Sequence, residues 1–337
     1  MRIGFSFIDL APGGAQNLLV QLAEAMAQRN HQVFFYLCTR KNSPSHRDPS
    51  LLKQIRSIAL QVSEPAGLLK CDVIQVDGYH SLRHKFVFLP NRHRCVETIH
   101  SLYSLRRSGP LYFPHLVAVS EYIRSKIRHP AIRIYNGIHL PEKTIPLQKM
   151  FDLCCLGRIH PVKNHSLFLS LCRSLYEKRG RLSALIIGGH AGDPEYKQRI
   201  DHSIQELEAE GVSITMTGTI PQAEVFSWLQ QSKILIIPSL DEGFGLMAVE
   251  GMACSLPVVA NSVGGIREII IEGETGFFTQ QNNLESFANH SLVLLDDPSL
   301  RDRMGRAGQN RAKEVFSFEK MAKAYEELYA EVVRRQV

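Results

Sequence analysis

The chain has 337 residues, and at roughly 100–200 residues per domain that length predicts two domains. Its 44% hydrophobic and 8% aromatic content describes a soluble globular chain with ample core, and no apolar run approaches a membrane span, which needs roughly 20 residues. The formal charge of +6 is uneven: residues 1–145 carry 19 Lys and Arg against 9 Asp and Glu, and the remainder carries 20 against 24. A basic first half suits an anionic partner, either an anionic membrane surface or a phosphorylated acceptor. Nucleic acid is the alternative polyanion, but the chain shows no recognised nucleic-acid module and no interleaved aromatic platform, so no nucleic-acid partner is expected.

The N-terminus runs Arg2-Ile-Gly-Phe-Ser-Phe straight into a strand, which is not the form of a signal peptide. Seven cysteines (38, 71, 95, 154, 155, 172 and 254) lie mostly in apolar runs, without a CxxC pair. They read as buried, reduced thiols of a cytoplasmic protein rather than disulfides or zinc ligands.

In chain order, Arg2 to Ile8 is the first predicted strand. A loop from Asp9 ends Pro12-Gly13-Gly14, and Ala15 to Gln28 carries apolar residues at helical spacing. Strand, double glycine and helix make a loop a phosphate can approach. It is not a GxGxxG fingerprint, and a plain tight turn explains two glycines equally well. Gln32 to Cys38 is the second strand, followed by a polar loop at 40–50 whose Arg40, Lys41 and Arg47 could touch an acceptor or simply be solvated. Cys71 to Val76 and Arg94 to Ile99 are further strands. His100 falls at the C-terminal end of the latter, where parallel sheets put their sites; a structural histidine is the competing reading. Leu116 to Val119 is a strand with Ser120 as N-cap of a short helix. Ile132 to Tyr135 leads to the turn Asn136-Gly137, and the proline-bearing segment 140–150 is the expected linker.

The second half repeats the alternation. Phe151 to Leu156 is a strand, then Gly157-Arg158 and Lys163 precede a helix from Ser166 to Lys178. A guanidinium fork and an ammonium five positions apart, on a loop opening a helix, suit a diphosphate; ordinary surface charge is the bland explanation. Strands at Leu182 to Ile187 and Val212 to Thr217 alternate with helices at Glu195 to Glu210 and Ala223 to Gln231, the last carrying Trp228. Ile234 to Ile237 is a continuous apolar run closed by Pro238, as expected of a buried parallel strand. Glu242, Gly243 and Gly245 follow, then a helix from Leu246 to Ala253 and a strand from Leu256 to Ala260. Glu250 lies eight positions after Glu242, about two turns into the helix. The amides of Phe244 to Ala248 would point from a helix N-terminus, where an anion is favoured. A carboxylate on each side of an anion site is the layout of a nucleotide sugar, with hydroxyls flanking phosphate. A βαβ crossover with a capping turn would leave the same pattern. Gly264-Gly265 opens another helix, and helices from Leu284, Leu300 and Phe318 close the chain, the last with Met321, Tyr325, Leu328 and Tyr329 on one face. Strand–helix alternation in both halves predicts an α/β fold of two doubly wound domains, with ligand at strand C-terminal ends.

These residues resemble the retaining family 4 glycosyltransferases of the GT-B fold. The carriers are Glu242 to Glu250 as an E-x7-E motif, Gly157, Arg158 and Lys163 as GRxxxxK, Gly13-Gly14-Ala15-Gln16, Ile99-His100, Asn136-Gly137-Ile138, and Gly264-Gly265 with Glu268. They run in the family's order over nearly the whole chain. The resemblance implies two Rossmann-like domains facing across a cleft: an N-terminal acceptor-binding domain at 1–143, with the last helix (about 319–337) packing back on it, and a C-terminal nucleotide-sugar-binding domain at 144–318. It implies that Arg158 and Lys163 neutralise the diphosphate leaving group, so that neither metal nor cofactor is needed; no D-x-D triplet occurs. The amides of Phe244 to Met247, which include Gly245 and Leu246, and of Gly14 would hold the remaining phosphate oxygens, with Gly13 and Gly243 also in the donor-binding set. Glu250 would take the ribose hydroxyls, Glu242 the hydroxyls of the sugar, and His100 the sugar's other face. Thr219 and Ile220 would flank the base. His139 stands where the family often has an aspartate.

The implied activity is sugar transfer from a nucleotide donor, UDP-sugar favoured, to a glycan or lipid-linked acceptor in cell-envelope polysaccharide or lipopolysaccharide synthesis. The location implied is cytoplasmic, peripheral on the inner membrane's cytoplasmic face. A GDP-mannose-dependent mannosyltransferase and a non-catalytic nucleotide-sugar-binding module are the alternatives, the second opposed by the intact Glu242, Glu250, Arg158 and Lys163. A phosphorylase on a similar scaffold would need a pyridoxal phosphate lysine and a far longer chain.

Overall fold

The computed structural model describes residues 1–8, 10, 13–38, 48–77, 82–108, 113–141, 148–190 and 192–336. The polar loop through Arg47, with Arg40 and Lys41, lies outside the described residues, as do Asp9, Pro12 and the linker residues 142–147. The chain forms two compact units, one of Met1–Gly137 with Phe318–Val337 and the other of Ile138–Ser317.

In the first unit the elements run β1 (Arg2–Phe7), α1 (Gly14–Gln28), β2 (Gln32–Leu37), α2 (Pro49–Ile58), β3 (Leu60–Gln61), β4 (Val73–Asp77), α3 (Leu82–Phe88), β5 (Cys95–Ile99), α4 (Leu102–Ser108), β6 (His115–Ala118), α5 (Glu121–Arg124) and β7 (Ala131–Arg133). The second unit holds β8 (Phe151–Leu156), α6 (His165–Arg179), β9 (Ser183–Ile187), α7 (Pro194–Ala209), β10 (Ser213–Met216), α8 (Gln222–Gln230), β11 (Ser232–Ile237), α9 (Leu246–Ala253), β12 (Val258–Asn261), α10 (Ile266–Ile269), β13 (Gly276–Thr279), α11 (Leu284–Asp296) and α12 (Pro298–Val315). The last helix, α13 (Phe318–Arg334), belongs to the first unit.

Among the described residues the first sheet has the order β3-β2-β1-β4-β5-β6-β7 and the second β10-β9-β8-β11-β12-β13. Every pairing is parallel. Each order reverses direction once, at β1/β4 and at β8/β11, and a crevice opens outside the strand C-termini at such a point. The central strands of the second sheet are largely apolar because both faces are covered: Leu153, Ile186, Ile234 and Val259 are buried among Phe168, Cys172, Leu175 and Phe287. All seven cysteines are free thiols, six of them buried. Burial pushes Cys154 up to about 12 and Cys71 to about 11, so neither is a reactive thiolate near neutral pH. Trp228 is half-buried, tilted against Phe151 at 6.4 Å.

Several starts are capped as their residue types require. Ser120 Oγ accepts from Ile123 N at 3.1 Å, and Asp193, Asn283 and Asp297 do the same for α7, α11 and α12. On α13 the buried face comprises Phe318, Met321, Ala322, Tyr325, Leu328, Tyr329 and Val332. Its two tyrosines meet a polar strip of the first sheet. Tyr329 OH donates to Gln75 Oε1 at 2.9 Å, Gln75 Nε2 donates to Thr98 Oγ1 at 2.9 Å, and Thr98 Oγ1 lies 3.0 Å from Tyr325 OH. Every buried polar group in this strip therefore has a partner, as a low-dielectric site demands. At the surface Arg29 pairs with Glu319 at 2.6 Å, and His31 lies 2.8 Å from Glu326.

Candidate functional site

Of the residues singled out in the second unit, Arg158 and Lys163 follow β8, Glu242 to Gly245 follow β11, Thr219 and Ile220 follow β10, and Glu250 lies within α9. After β8, Gly157 N donates to Ile187 O at 2.9 Å and Ile159 N to Gly189 O at 2.8 Å. The loop then tightens into a single turn, Pro161–Lys163, capped by His160 Nδ1 on Val162 N at 3.2 Å. After β11, Leu240 N donates to Val162 O at 2.8 Å, tying the two loops together. That bond sets Lys163 against the acidic loop: Lys163 Nζ lies 2.5 Å from Glu242 Oε1, with the side chains 19% and 11% exposed. Arg158 is exposed and forms no ion pair among the described residues.

The Glu242 loop is held from a third side. Gly265 N donates to Glu242 O at 2.9 Å. Gly264 has φ +52°, and a Cβ there would stand 1.9 Å from Glu242 O, so only glycine fits. Asn261, fully buried at the end of β12, donates from Nδ2 to Pro238 O at 2.8 Å and Ser239 O at 3.2 Å. These contacts fix the path of residues 238–243.

Helix α9 starts at Gly245, whose φ of +109° bends the chain into the helix. No side chain caps it; Ala248 N is taken by Gly245 O at 2.9 Å, which removes it from the expected set and leaves Leu246 and Met247 as the first-turn amides an anion would meet. Phe244 is buried edge-on against Phe316, with centroids 5.8 Å apart and planes at 72°. Arg311 braces the same region, donating from Nε to Ile269 O at 2.7 Å and from an Nη to Glu268 O at 2.8 Å. Just over one turn along α9, not the two expected from its spacing to Glu242, Glu250 Oε1 accepts from Gln222 Nε2 at 2.6 Å. Burial raises the Glu250 carboxyl above its ordinary value, opposed by the Gln222 bond and the charge of Lys163. Thr219 and Ile220 sit just before α8, on a loop whose Gly218 bridges Gly188.

His165, buried at the first residue of α6, was not singled out in the sequence. Its imidazole is pushed down to about 4, first by burial and then by the charge of Lys163, which keeps it neutral near pH 7. Gln222, Asn261, Arg311 and Phe316 also escape sequence reasoning, because polar or aromatic residues that act through tertiary contacts carry no periodic signal.

His100, Gly13 and Gly14 belong to the first unit. His100 follows β5 and is buried, its backbone N donating to Ser104 Oγ at 3.0 Å. Burial lowers its imidazole to about 4, so this ring too is neutral near pH 7. Gly13 is the N-cap of α1 and its carbonyl accepts from Asn17 N at 3.1 Å. Gly137 N meets Met321 Sδ at 3.1 Å, and Ile138 N donates to Phe316 O at 3.0 Å. Among the described residues no group of three or more His, Cys, Asp or Glu is arranged to hold a metal ion, and no helix is long and apolar enough to cross a membrane.

A cation pair on one loop, helix amides on the next and carboxylates at either side can hold a multiply charged anion flanked by hydroxyls. Residues 141–311, just over half of the chain, match the family described as glycosyl transferases group 1. The chain belongs to that family. It is 31% identical over 221 residues to the uncharacterized glycosyltransferase MJ1178 of Methanocaldococcus jannaschii, covering 63% of this chain and 59% of that one. It is 30% identical over 231 residues to a D-inositol 3-phosphate glycosyltransferase of Streptomyces bingchenggensis, covering 66% and 49%. The chain thus spans about half the length of these curated relatives. Among solved structures, Anabaena Alr3699/HepE in complex with UDP-glucose superposes with a TM-score of 0.80 at 18% identity, covering 98% of this chain and 100% of that one. A glycosyltransferase from Rickettsia africae gives 0.80 at 19% identity, covering 98% of each. These likenesses establish the fold: two parallel-sheet, Rossmann-like α/β domains of the GT-B type.

Proposed function

We propose that this member of the glycosyl transferases group 1 family moves a sugar from a nucleotide-sugar donor to a glycan or lipid-linked acceptor, with retention at the anomeric carbon and UDP-sugar as donor. The observation that carries the reading is the meeting of Lys163 and Glu242 at 2.5 Å, beside an uncapped helix N-terminus and at the point where the strand order reverses. In this reading Lys163 and Arg158 take the diphosphate, the amides of Phe244 to Met247 its remaining oxygens, Glu250 the ribose, Thr219 and Ile220 the base, and Glu242 the transferred sugar. From the first unit, Gly13 and Gly14 are assigned to the diphosphate and His100 to the sugar. A neutral His100 suits that role, since it adds no cation beside a developing oxocarbenium centre. The leaving phosphate itself would take the acceptor proton. That HepE is described with UDP and with UDP-glucose supports UDP as the first nucleotide to test.

The test is a thermal-shift panel of UDP-, GDP- and ADP-sugars. A matched donor at 100 times its dissociation constant stabilises the protein by about 2.7 kcal/mol through mass action. A panel without any shift would overturn the donor assignment, and a shift with GDP-sugars alone would replace UDP by GDP. Turnover with the matched donor is expected to persist in excess chelator; loss restored by a divalent ion would refute the metal-free reading. The excess of basic residues in 1–145 further supports an anionic membrane surface near the acceptor. Salt-sensitive cosedimentation with anionic vesicles is the expected result, and its absence counts against that surface.

A further inference from the structure

We propose that the Lys163–Glu242 ion pair is a lock on the sugar-binding carboxylate, opened only by a diphosphate. The inference rests on the reading above, in which Lys163 takes the diphosphate and Glu242 the sugar hydroxyls. Both partners sit on backbones that are clamped, by Leu240 N on Val162 O and by Gly265 N on Glu242 O. The carboxylate is only 11% exposed, and the ammonium 2.5 Å away occupies one of its oxygens. A sugar arriving alone would have to break this pair and leave an ammonium uncompensated, which disfavours it. A diphosphate offers the ammonium several anionic oxygens in exchange for one carboxylate oxygen. Once Lys163 turns to the diphosphate, Glu242 is released to accept from hydroxyls. Diphosphate and sugar therefore favour the same open state, and binding of each assists the other. The pair would make the site selective for nucleoside diphosphate sugars over free sugars. Glu250 is not part of the ion pair: its own hydrogen-bond donor is the neutral Gln222.

The experiment is calorimetric titration of UDP and of GDP into the wild type, Glu242→Gln, Glu242→Ala, Lys163→Ala and the double variant Lys163→Ala/Glu242→Gln. Whichever diphosphate binds the wild type should bind Glu242→Gln or Glu242→Ala about fivefold or more tighter, the lower end of ordinary coupling energies. The same sugar nucleotide should gain less or weaken, since it loses its hydroxyl acceptor. In the Lys163→Ala background the gain should vanish, because no ammonium is left to release. A gain that persists there would mean simple relief of charge repulsion and would overturn the lock. No gain in either Glu242 variant, with Lys163→Ala weakened, would overturn the lock and leave the donor reading standing. Wild-type affinity in Lys163→Ala, or binding of neither diphosphate to the wild type, would bring down the donor reading and the lock with it.

Discussion

Replacing Lys163 with alanine is expected to lower turnover by on the order of 100-fold, about 2.7 kcal/mol of transition-state stabilisation. The cation matters most when negative charge gathers on the departing diphosphate, so its loss falls on the transition state more than on the bound donor. Arg158 remains in the variant, but it is exposed, and a screened surface charge interacts more weakly than a part-buried one. Initial rates at saturating matched donor check this. Turnover within about fivefold of wild type would remove Lys163 from the chemistry. The variant also leaves Glu242 part-buried without its partner, which costs stability of its own. Adding Glu242→Gln should recover the melting temperature without recovering turnover, and that split separates a catalytic role from a structural one.

Much of the fold is legible in the residues because parallel strands must be apolar on both faces. Ile234–Ile237 announces itself as a short unbroken run closed by Pro238, and Phe151–Leu156 as a mostly apolar one, interrupted by Asp152 and closed by Gly157. Elements whose stability comes from their neighbours are less visible. Helix α2 follows a polar stretch and buries only Leu51 and Ile55. Strand β13 has four residues, begins with Gly276, and sits at the edge of the second sheet beside β12. Helix α4 begins directly after His100 and Ser101, and is tied down by the Ser101 and Ser104 hydroxyls rather than by an apolar stripe. In each, hydrogen bonding or packing to a distant element replaces the periodic pattern on which sequence reading depends.

The candidate site divides along the same line. Glycines, cations and carboxylates at fixed spacing on loops after strands are readable, since chemistry near phosphate and hydroxyl groups calls for those residue types. That Lys163 and Glu242 touch is not readable, because it requires β8 and β11 to be neighbours, and 79 positions separate the two residues. The bracing around them is also silent in the sequence. Asn261 falls just past the strand read at Leu256 to Ala260, Gln222 just before the helix read at Ala223 to Gln231, and Arg311 carries no signal of its own. Each acquires its role only when its hydrogen-bond partner is in place.

The buried ion pair of the first unit is where the largest stability effect is expected. Lys85 on α3 and Glu97 on β5 are ion-paired and each 0% exposed. Burial lowers the Lys85 ammonium from its ordinary value while the attraction of Glu97 opposes that fall. The ammonium also stands 5.6 Å from the centroid of the Phe113 ring, within a cluster of Leu68, Ile74, Val76, Phe88 and Cys95. Removing one partner leaves a carboxylate in an apolar core, which costs about 3–5 kcal/mol. At roughly 2–4 °C per kcal/mol for a domain of this size, Lys85→Met should lower the melting temperature of the first unit by about 6–20 °C. Replacing both, Lys85→Met with Glu97→Leu, should recover most or all of the loss, because the desolvation cost of both charges goes with them. Calorimetry of the three proteins tests the argument, and a single variant melting within about 3 °C of wild type would show that the pair is not what holds α3 to β5. Glu97 lies on β5, whose last residue, Ile99, directly precedes His100, so the single variant should also lose turnover at temperatures below its melting point, and the double variant should regain it.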